Sequence, residues 1–498
     1  MGLLGVDIGS SRCKAVVFDG SGRALAEAVE NYTPYLPALS RVEADPEALW
    51  SAVASAIRRA ASQSEERVFA MGLSSHGESF LPVDGGGRAL APVIMNTDNR
   101  ATEEARWWQD LLGREHIFQM TGLIVHPMYP MAKLRWLRLH EPDLFSAAAR
   151  FVSVSDYALL KLGLEPCIPY SLACRFMAFD VRALRWSEEI LEAAALSPDR
   201  LPTPVPSGTV VGRLSRSVAA ELGLDPGVPV VVGGHDQPCG ALGVGAIAPG
   251  MVTDSLGTYE CLVAVADQPC LDVSAFAASL NSYCHAVPDS YITIAYFPAG
   301  LMLKWFCDSF CQAEADAAKA EGIGLFEYIE STVREGPTGL CVTPHLIGSA
   351  NPHFDPRATG AIVGITQNTK RSDIYKGILE GLACELAIVA ELLASAVGPF
   401  DTIRCSGGGA RSRLGLRLRA TIAGRRMQTL GTPEAVCLGV ALLTGVAAGA
   451  YGSLDQAVTQ AVRVTETVAP DAALAAAYRR QVEQYRRLYP ALAPLREA

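Results

Sequence analysis

The sequence predicts an α/β protein of two domains, and three observations carry the prediction. The chain has 498 residues, longer than one hydrophobic core usually grows, and 50% of them are hydrophobic, so two large cores are expected. Strand-like and helix-like periodicities alternate from the first residues onward. A strand, hinge, strand unit at the N-terminus has an echo in the second half, as two related halves facing one ligand would have. Glycine and proline cluster between Ala241 and Gly250, and a boundary there gives domains of residues 1–243 and 244–498.

The elements follow in order. Leu3 to Asp19 reads as strand, tight turn, strand, because two apolar runs flank the polar hinge Gly9-Ser10-Ser11; Asp19-Gly20-Ser21-Gly22 is a second turn. Glu47 to Ala61 fits a helix and Val68 to Leu73 a strand. Val230-Val231-Val232 is an apolar strand that ends in Gly233-Gly234 and a polar cluster. Asp254 to Val265 repeats the opening, with a Gly257-Thr258 hinge before an apolar strand. Ile374, Ile378, Leu382, Leu386 and Val389 share one face of a helix from Asp373 to Ala396. Thr402 to Cys405 is strand-like, and Leu438 to Ala450 is a small-residue-rich helix expected to be buried.

Composition excludes several classes. A net charge of -10 argues against a general polyanion binder, so nucleic acid is not an expected partner. The 13 scattered cysteines lack the paired short spacings of a zinc or thioredoxin motif and read as reduced, mostly buried thiols. Met1 to Asp7 has no basic n-region, and every apolar stretch is broken well before the roughly 20 residues that span a bilayer. Val6 stands where a myristoylation signal needs Ser or Thr. The expectation is a cytoplasmic protein without a membrane partner.

Five segments could carry chemistry. Asp7-Ile8-Gly9-Ser10-Ser11 combines a glycine and hydroxyl-rich turn, able to hold phosphate on backbone N–H groups, with an acid able to organise Mg2+; a Gly-Ser turn between strands is also an ordinary hairpin. No Gly-Lys-Ser or Gly-Lys-Thr occurs, so a nucleotide site must be of another type than a Walker loop. His235-Asp236-Gln237 follows an apolar strand, where an Asp can take the proton of an attacking alcohol and a Gln can orient hydroxyls, although Asp236 could instead cap the next helix. Ser406-Gly407-Gly408-Gly409-Ala410 offers close backbone approach at a helix start. Ser74 to Ser79 and Asn96 to Arg100 supply the mixed donors and acceptors that a polyol needs, and either is also an ordinary solvated loop.

These residues resemble the FGGY carbohydrate kinase family, in the right order over nearly the whole chain. Asp7 to Lys14 resembles its first phosphate motif, Met128 to Leu137 its first signature, and Gly360 to Ile365 with Asp373-Ile374 and Ile378-Leu379-Glu380 its second. The resemblance implies an actin-like fold: two ribonuclease-H-like domains flanking a catalytic cleft, with ATP and Mg2+ as cofactors and a small sugar or polyol, such as a pentulose or hexulose, as acceptor. It implies Asp236 as general base and Asp7 as the metal residue. Glu78, Asp98, Asp236 and Gln237 fall at hydroxyl-binding positions. Gly9, Ser10, Ser11, Gly257, Thr258, Gly300, Lys304, Gly409, Ala410 and Arg413 fall at nucleotide positions. Asn96 stands where many relatives carry a Trp, and Ser75-His76-Gly77-Glu78 matches neither the xylulose kinase nor the glycerol kinase pattern. The alternative is an actin-like ATPase with a scaffold or regulatory role, which would need the hinges but not the Glu78, Asp98 and Asp236-Gln237 set. A homodimer is left open.

Overall fold

The protein, seen in a computed structural model, is described over residues 2–431 and 434–496; Met1, Glu497 and Ala498, the ends of the two expected domains, lie outside the described residues. The opening apolar runs form strands β1 (Gly2–Ile8) and β2 (Arg12–Phe18), paired antiparallel from Leu3↔Phe18 to Ile8↔Cys13, so that Gly9 to Arg12 are left as the hinge. Strand β3 (Ala24–Asn31) extends the pair antiparallel. Helix α1 (Pro46–Gln63), capped by the Asp45 side chain, then returns the chain to β4 (Val68–Ser75), parallel to β1. Strand β5 (Pro229–His235) lies parallel to β4. The order is therefore β3-β2-β1-β4-β5, with Val210–Arg213 outside β5. Because β1, β4 and β5 run the same way, their carboxyl ends meet at one edge, which is where open α/β sheets hold ligands.

The second half repeats this plan. Strands β6 (Val252–Leu256) and β7 (Tyr259–Ala266) are antiparallel around a Gly257-Thr258 turn, and β8 (Tyr291–Pro298) is antiparallel to β7. Strands β9 (Thr402–Ser406) and β10 (Arg426–Leu430) continue from β6 in parallel. The order β8-β7-β6-β9-β10 matches that of the first sheet, with Asn281–Cys284 and Val464–Val468 added at its two edges. The echo heard in the sequence is thus a duplicated fold of the ribonuclease-H-like, actin-like kind. A separate five-stranded sheet takes two strands from the stretch between β3 and α1 and three from the stretch between β4 and β5, which also adds helices, among them α2 (Pro130–His140).

The halves are joined by a helix crossing. Helix α3 (Asp236–Gly243) leaves the end of β5, and α7 (Ala435–Ala447) from the second half lies across it and on the first sheet, where Leu438, Val440 and Leu442 share a core with Leu3, Phe18 and Ala70. The approach is backbone to backbone: a Cβ on Gly243 would lie 1.8 Å from the Ala435 carbonyl oxygen, and one on Gly439 would lie 1.9 Å from that of Cys239. Only glycine fits either place. A division at residues 243 and 244 separates the two sheets, while α7 packs back over it. Of the helices α4 (Gly300–Phe310), α5 (Arg371–Val397) and α6 (Arg413–Ala423) that precede α7, the long α5 covers the second sheet, as its periodicity predicts. Among the described residues no helix is long and apolar enough to cross a membrane.

Candidate active site

Both hinges sit at strand ends facing the cleft. In the first, Gly9 N–H donates to the Arg12 carbonyl at 2.9 Å, the Tyr32 hydroxyl donates to Gly9 O, and Ser10, Ser11 and Arg12 are exposed. Asp7, one residue before the end of β1, has an Oδ1 with no hydrogen-bond partner. Burial is the main reason its carboxyl is pushed up to about 7; Lys14 and Arg12 pull it down and Glu434 pushes it up. Lys14 is ion-paired across the halves to that same Glu434.

In the second hinge, Gly257 N–H donates to Tyr259 O at 3.1 Å, and helix α4 (Gly300–Phe310) begins directly against it, with Gly300 N–H donating to Gly257 O at 3.1 Å. A Cβ on Gly300 would lie 2.6 Å from that oxygen. The turn Gly408–Arg411 packs on the same hinge, since a Cβ on Gly409 would meet that of Leu256 at 2.9 Å. Gly257, Thr258, Gly300, Gly409 and its neighbour Ala410 therefore share one surface.

Asp236 occupies the meeting point. His235 ends β5 and is the N-cap of α3, so Asp236 is the first helical residue and does not cap: no side chain caps this helix. Its Oδ1 has no aligned donor, although His235 Nε2 lies 3.1 Å away. Burial raises its carboxyl to about 8, with Asp7 and Glu78 adding to the rise and the Gln237 N–H and Arg175 opposing it. His235 is held well below its usual pKa, first by burial, and its Nδ1 is 3.0 Å from the Tyr283 hydroxyl. The Gln237 amide oxygen accepts from Ser255 at 3.4 Å, which leaves its NH2 to donate elsewhere. Ser255 stands in β6 where Asp7 stands in β1, so one hinge carries a carboxylate and the other a hydroxyl.

Glu78 lies in a tight left-handed turn, φ 62°, a strained conformation for a residue with a Cβ. It is buried and ion-paired at 2.5 Å with Arg175, whose guanidinium lies over the rings of Tyr283 (4.8 Å) and Tyr129 (5.2 Å). His76, in the same loop, is structural. Its Nδ1 faces Ile8 O at 2.9 Å and must donate, so its Nε2 accepts from Ser79 Oγ at 2.7 Å, and Ser79 in turn accepts the Asn96 N–H at 2.8 Å. This chain ties the loop of Asn96 to the first hinge. Asn96 Oδ1 is itself buried without a donor.

Three expected site residues are placed otherwise. The Asp98 carboxylate is fully buried and accepts four hydrogen bonds, from Val42 N, Arg100 N, Arg100 Nε and Arg100 Nη2, so no lone pair is left for a sugar hydroxyl. Arg100 itself is bracketed by Glu43 at 2.6 Å. Lys304 points to Asp308 at 2.6 Å on the exposed face of α4, one turn beyond Gly300. Arg413 pairs with Glu466 at 3.4 Å on the surface. Conversely, Arg175, Tyr129 and Tyr283 enter the site without having been read from the sequence. The available signal was a lone charge in the apolar run Leu172 to Phe176, which marks a buried and therefore partnered cation.

The chain matches the profile of the FGGY family of carbohydrate kinases, N-terminal domain, over residues 2–243, and that of the C-terminal domain over 253–448. The protein belongs to the FGGY family. Among its relatives, the gluconokinase of Bacillus subtilis is 30% identical over 460 residues, covering 91% of this chain and 89% of its own. The xylulose kinase of Escherichia coli is 29% identical over 500 residues, covering 99% of each chain. In fold, this FGGY kinase superposes on ligand-bound xylulose kinase from Lactobacillus acidophilus with a TM-score of 0.89 at 23% identity, over 99% of this chain and 98% of the other. It is a carbohydrate kinase with the actin-like two-domain fold.

Proposed function

We propose that this FGGY kinase transfers the γ-phosphoryl group of ATP to a hydroxyl of a five- or six-carbon sugar or sugar acid, with Asp236 as general base. The observation that carries the reading is the Asp236 carboxyl, with an unpartnered oxygen, set between the two hinges and beside Glu78. The named activities of the gluconokinase and xylulose kinase relatives support the acceptor class.

In this reading the acceptor oxygen attacks the γ-phosphorus in line, its proton passes to Asp236, and the bond to the β-phosphate oxygen breaks to release ADP. Backbone N–H groups of Ser10, Ser11 and Thr258 cradle the phosphates, with Gly300, Gly409 and Ala410 forming the nucleotide floor. Asp7 fits a cation, since its buried Oδ1 lacks a donor and its carboxyl is raised by desolvation that a positive charge would relieve. Bound Mg2+ would neutralise phosphate charge. Gln237 and the free oxygen of Glu78 orient acceptor hydroxyls, and closure about the α3–α7 crossing excludes water, which competes as acceptor.

The test is ATP consumption with Mg2+ over a panel of pentuloses, hexuloses, polyols and aldonates, with Asp236→Asn alongside. Acceptor-stimulated turnover that the variant lacks is expected; turnover that survives in the variant removes Asp236 from the chemistry, and ATP hydrolysis indifferent to every acceptor favours the ATPase alternative.

A further inference from the structure

Across Tyr129 from the Glu78–Arg175 pair lies a cavity of about 260 Å3 with walls from both halves: Arg114, His126 and Tyr129 on one side, Asn281, Tyr296 and His353 on the other. Tyr129 is shared, its ring lying under Arg175, and His126 is close enough to Glu78 to feel its charge. The cavity is therefore next to the acceptor pocket. Its chemistry is the opposite of that of the reacting centre, where Asp7, Glu78 and Asp236 converge: no Asp or Glu is among the described residues that line it.

What the lining offers is donors. His126 Nδ1 accepts the Met128 N–H at 3.2 Å, so the ring proton is on Nε2. Burial, with Lys133 adding to it, holds the His126 pKa near 4, and the ring is a neutral donor at pH 7. Asn281 Oδ1 accepts the Ile124 N–H at 2.9 Å, which turns its NH2 toward the Tyr129 hydroxyl. Burial keeps the Tyr129 and Tyr296 hydroxyls protonated. Arg175 Nη1, on the far side of Tyr129, is buried with no acceptor. Donors that face the cavity gain a partner only from a ligand that supplies acceptors, and Arg114 adds the one positive charge among the described residues that line it.

Resting on the reading of Asp236 as the reacting end, we infer that this cavity holds the other end of the acceptor, and that this end is an anionic group: the carboxylate of a sugar acid, or chemically alike, the phosphate of a sugar phosphate. A ketose or polyol terminus brings hydroxyls, whose protons a carboxylate takes best, and no carboxylate is among the described residues that line the cavity. Discrimination follows from the unpaired groups that the wrong substrate leaves.

The experiment compares a six-carbon aldonate with the alditol and the ketose of the same length and with a sugar 1-phosphate, by kcat/KM and by thermal shift without ATP. The wild type should favour the aldonate over the alditol by about 100-fold, and Arg114→Gln or His126→Phe should cut that ratio about tenfold with KM for ATP unchanged. Arg114 is exposed, so its variant is expected to fold. Preference for the sugar phosphate, lost in the same variants, keeps the anion pocket and assigns it to phosphate. Preference for the alditol or ketose, a ratio that neither variant moves, or the absence of an anion-specific thermal shift in the wild type would each overturn the inference. Activity of Asp236→Asn on any acceptor would count against the general-base reading alone, and an aldonate thermal shift that Arg114→Gln erases would still stand.

Discussion

Replacing Asp236 with Asn is expected to silence transfer and, at the same time, to stabilise the free protein above neutral pH. The folded carboxyl titrates at about 8 against an ordinary 3.8, chiefly through burial and then through Asp7 and Glu78. Between those values the folded state keeps a proton that the unfolded chain has lost, so the stability this group contributes falls as pH rises through the window and is gone above its upper end. At pH 7 the window spanned is about three pH units, and at 1.36 kcal/mol each the ceiling is about 4 kcal/mol. Water in the cleft reaches a side chain that is 24% exposed, which brings the expectation to about 2 kcal/mol. Asn keeps the shape and carries no charge, so it escapes this penalty. Thermal unfolding of both proteins from pH 4 to pH 8.5 should show coincident midpoints at the acid end and a variant higher by several degrees at the alkaline end. Coupled ADP release should show turnover lower by about 10²- to 10⁴-fold, the usual contribution of a positioned base. A variant with wild-type turnover, or a stability difference that does not grow with pH, would refute the reasoning.

Three further outcomes are expected. Gly300→Ala places a Cβ 2.6 Å from Gly257 O, so the second hinge must shift; KM for ATP should rise about tenfold in steady-state kinetics with the acceptor KM unchanged. Asp98→Asn removes the charge that holds buried Arg100, and urea denaturation should report a loss of about 3 kcal/mol while the acceptor KM stays within about threefold; the reverse pattern would restore Asp98 to the sugar site. Below the second hinge, Arg419 pairs with Glu260 at 2.9 and 2.7 Å beside Asp254, whose carboxyl is held well above its usual range by burial and Glu260, against the pull of Arg419. Arg419→Met should therefore cost about 3–5 kcal/mol in denaturant unfolding, and Asp254→Asn, which keeps the shape of a carboxyl whose charged form burial disfavours, about 1 kcal/mol or less.

Much of the scaffold was legible because it follows from local pattern. Two apolar runs around Gly9-Ser10-Ser11, and again around Gly257-Thr258, can only be strands joined by a tight turn, and the helix of Ile374 to Val389 is written in its period. The hinges, Asp236 after an apolar strand and the duplication all follow from such runs, and the long ordered signatures made the family recognisable. The limits were local too. The apolar run predicts a strand that ends in Gly233-Gly234, yet β5 runs on to His235, because Gly234 and His235 pair with Ser74 and Ser75 of β4 while Gly233 is taken up in a bulge.

What the sequence by itself determined is the fold class, the hinges and the identity of the groups that stand at strand ends, since the direction of a strand decides where its end lies. Only the tertiary structure decided which of the polar residues are free to act. Asp98 and Glu78 look alike in sequence, each a carboxylate in a polar loop, but Arg100 saturates one while Arg175, nearly a hundred residues from Glu78, leaves the other an open oxygen. Arg175, the donor-lined cavity shared by the two halves and the crossing of α3 with α7 all depend on contacts between segments far apart in the chain. Hydrogen-bond saturation and burial are properties of such contacts, and no local pattern of residues encodes them.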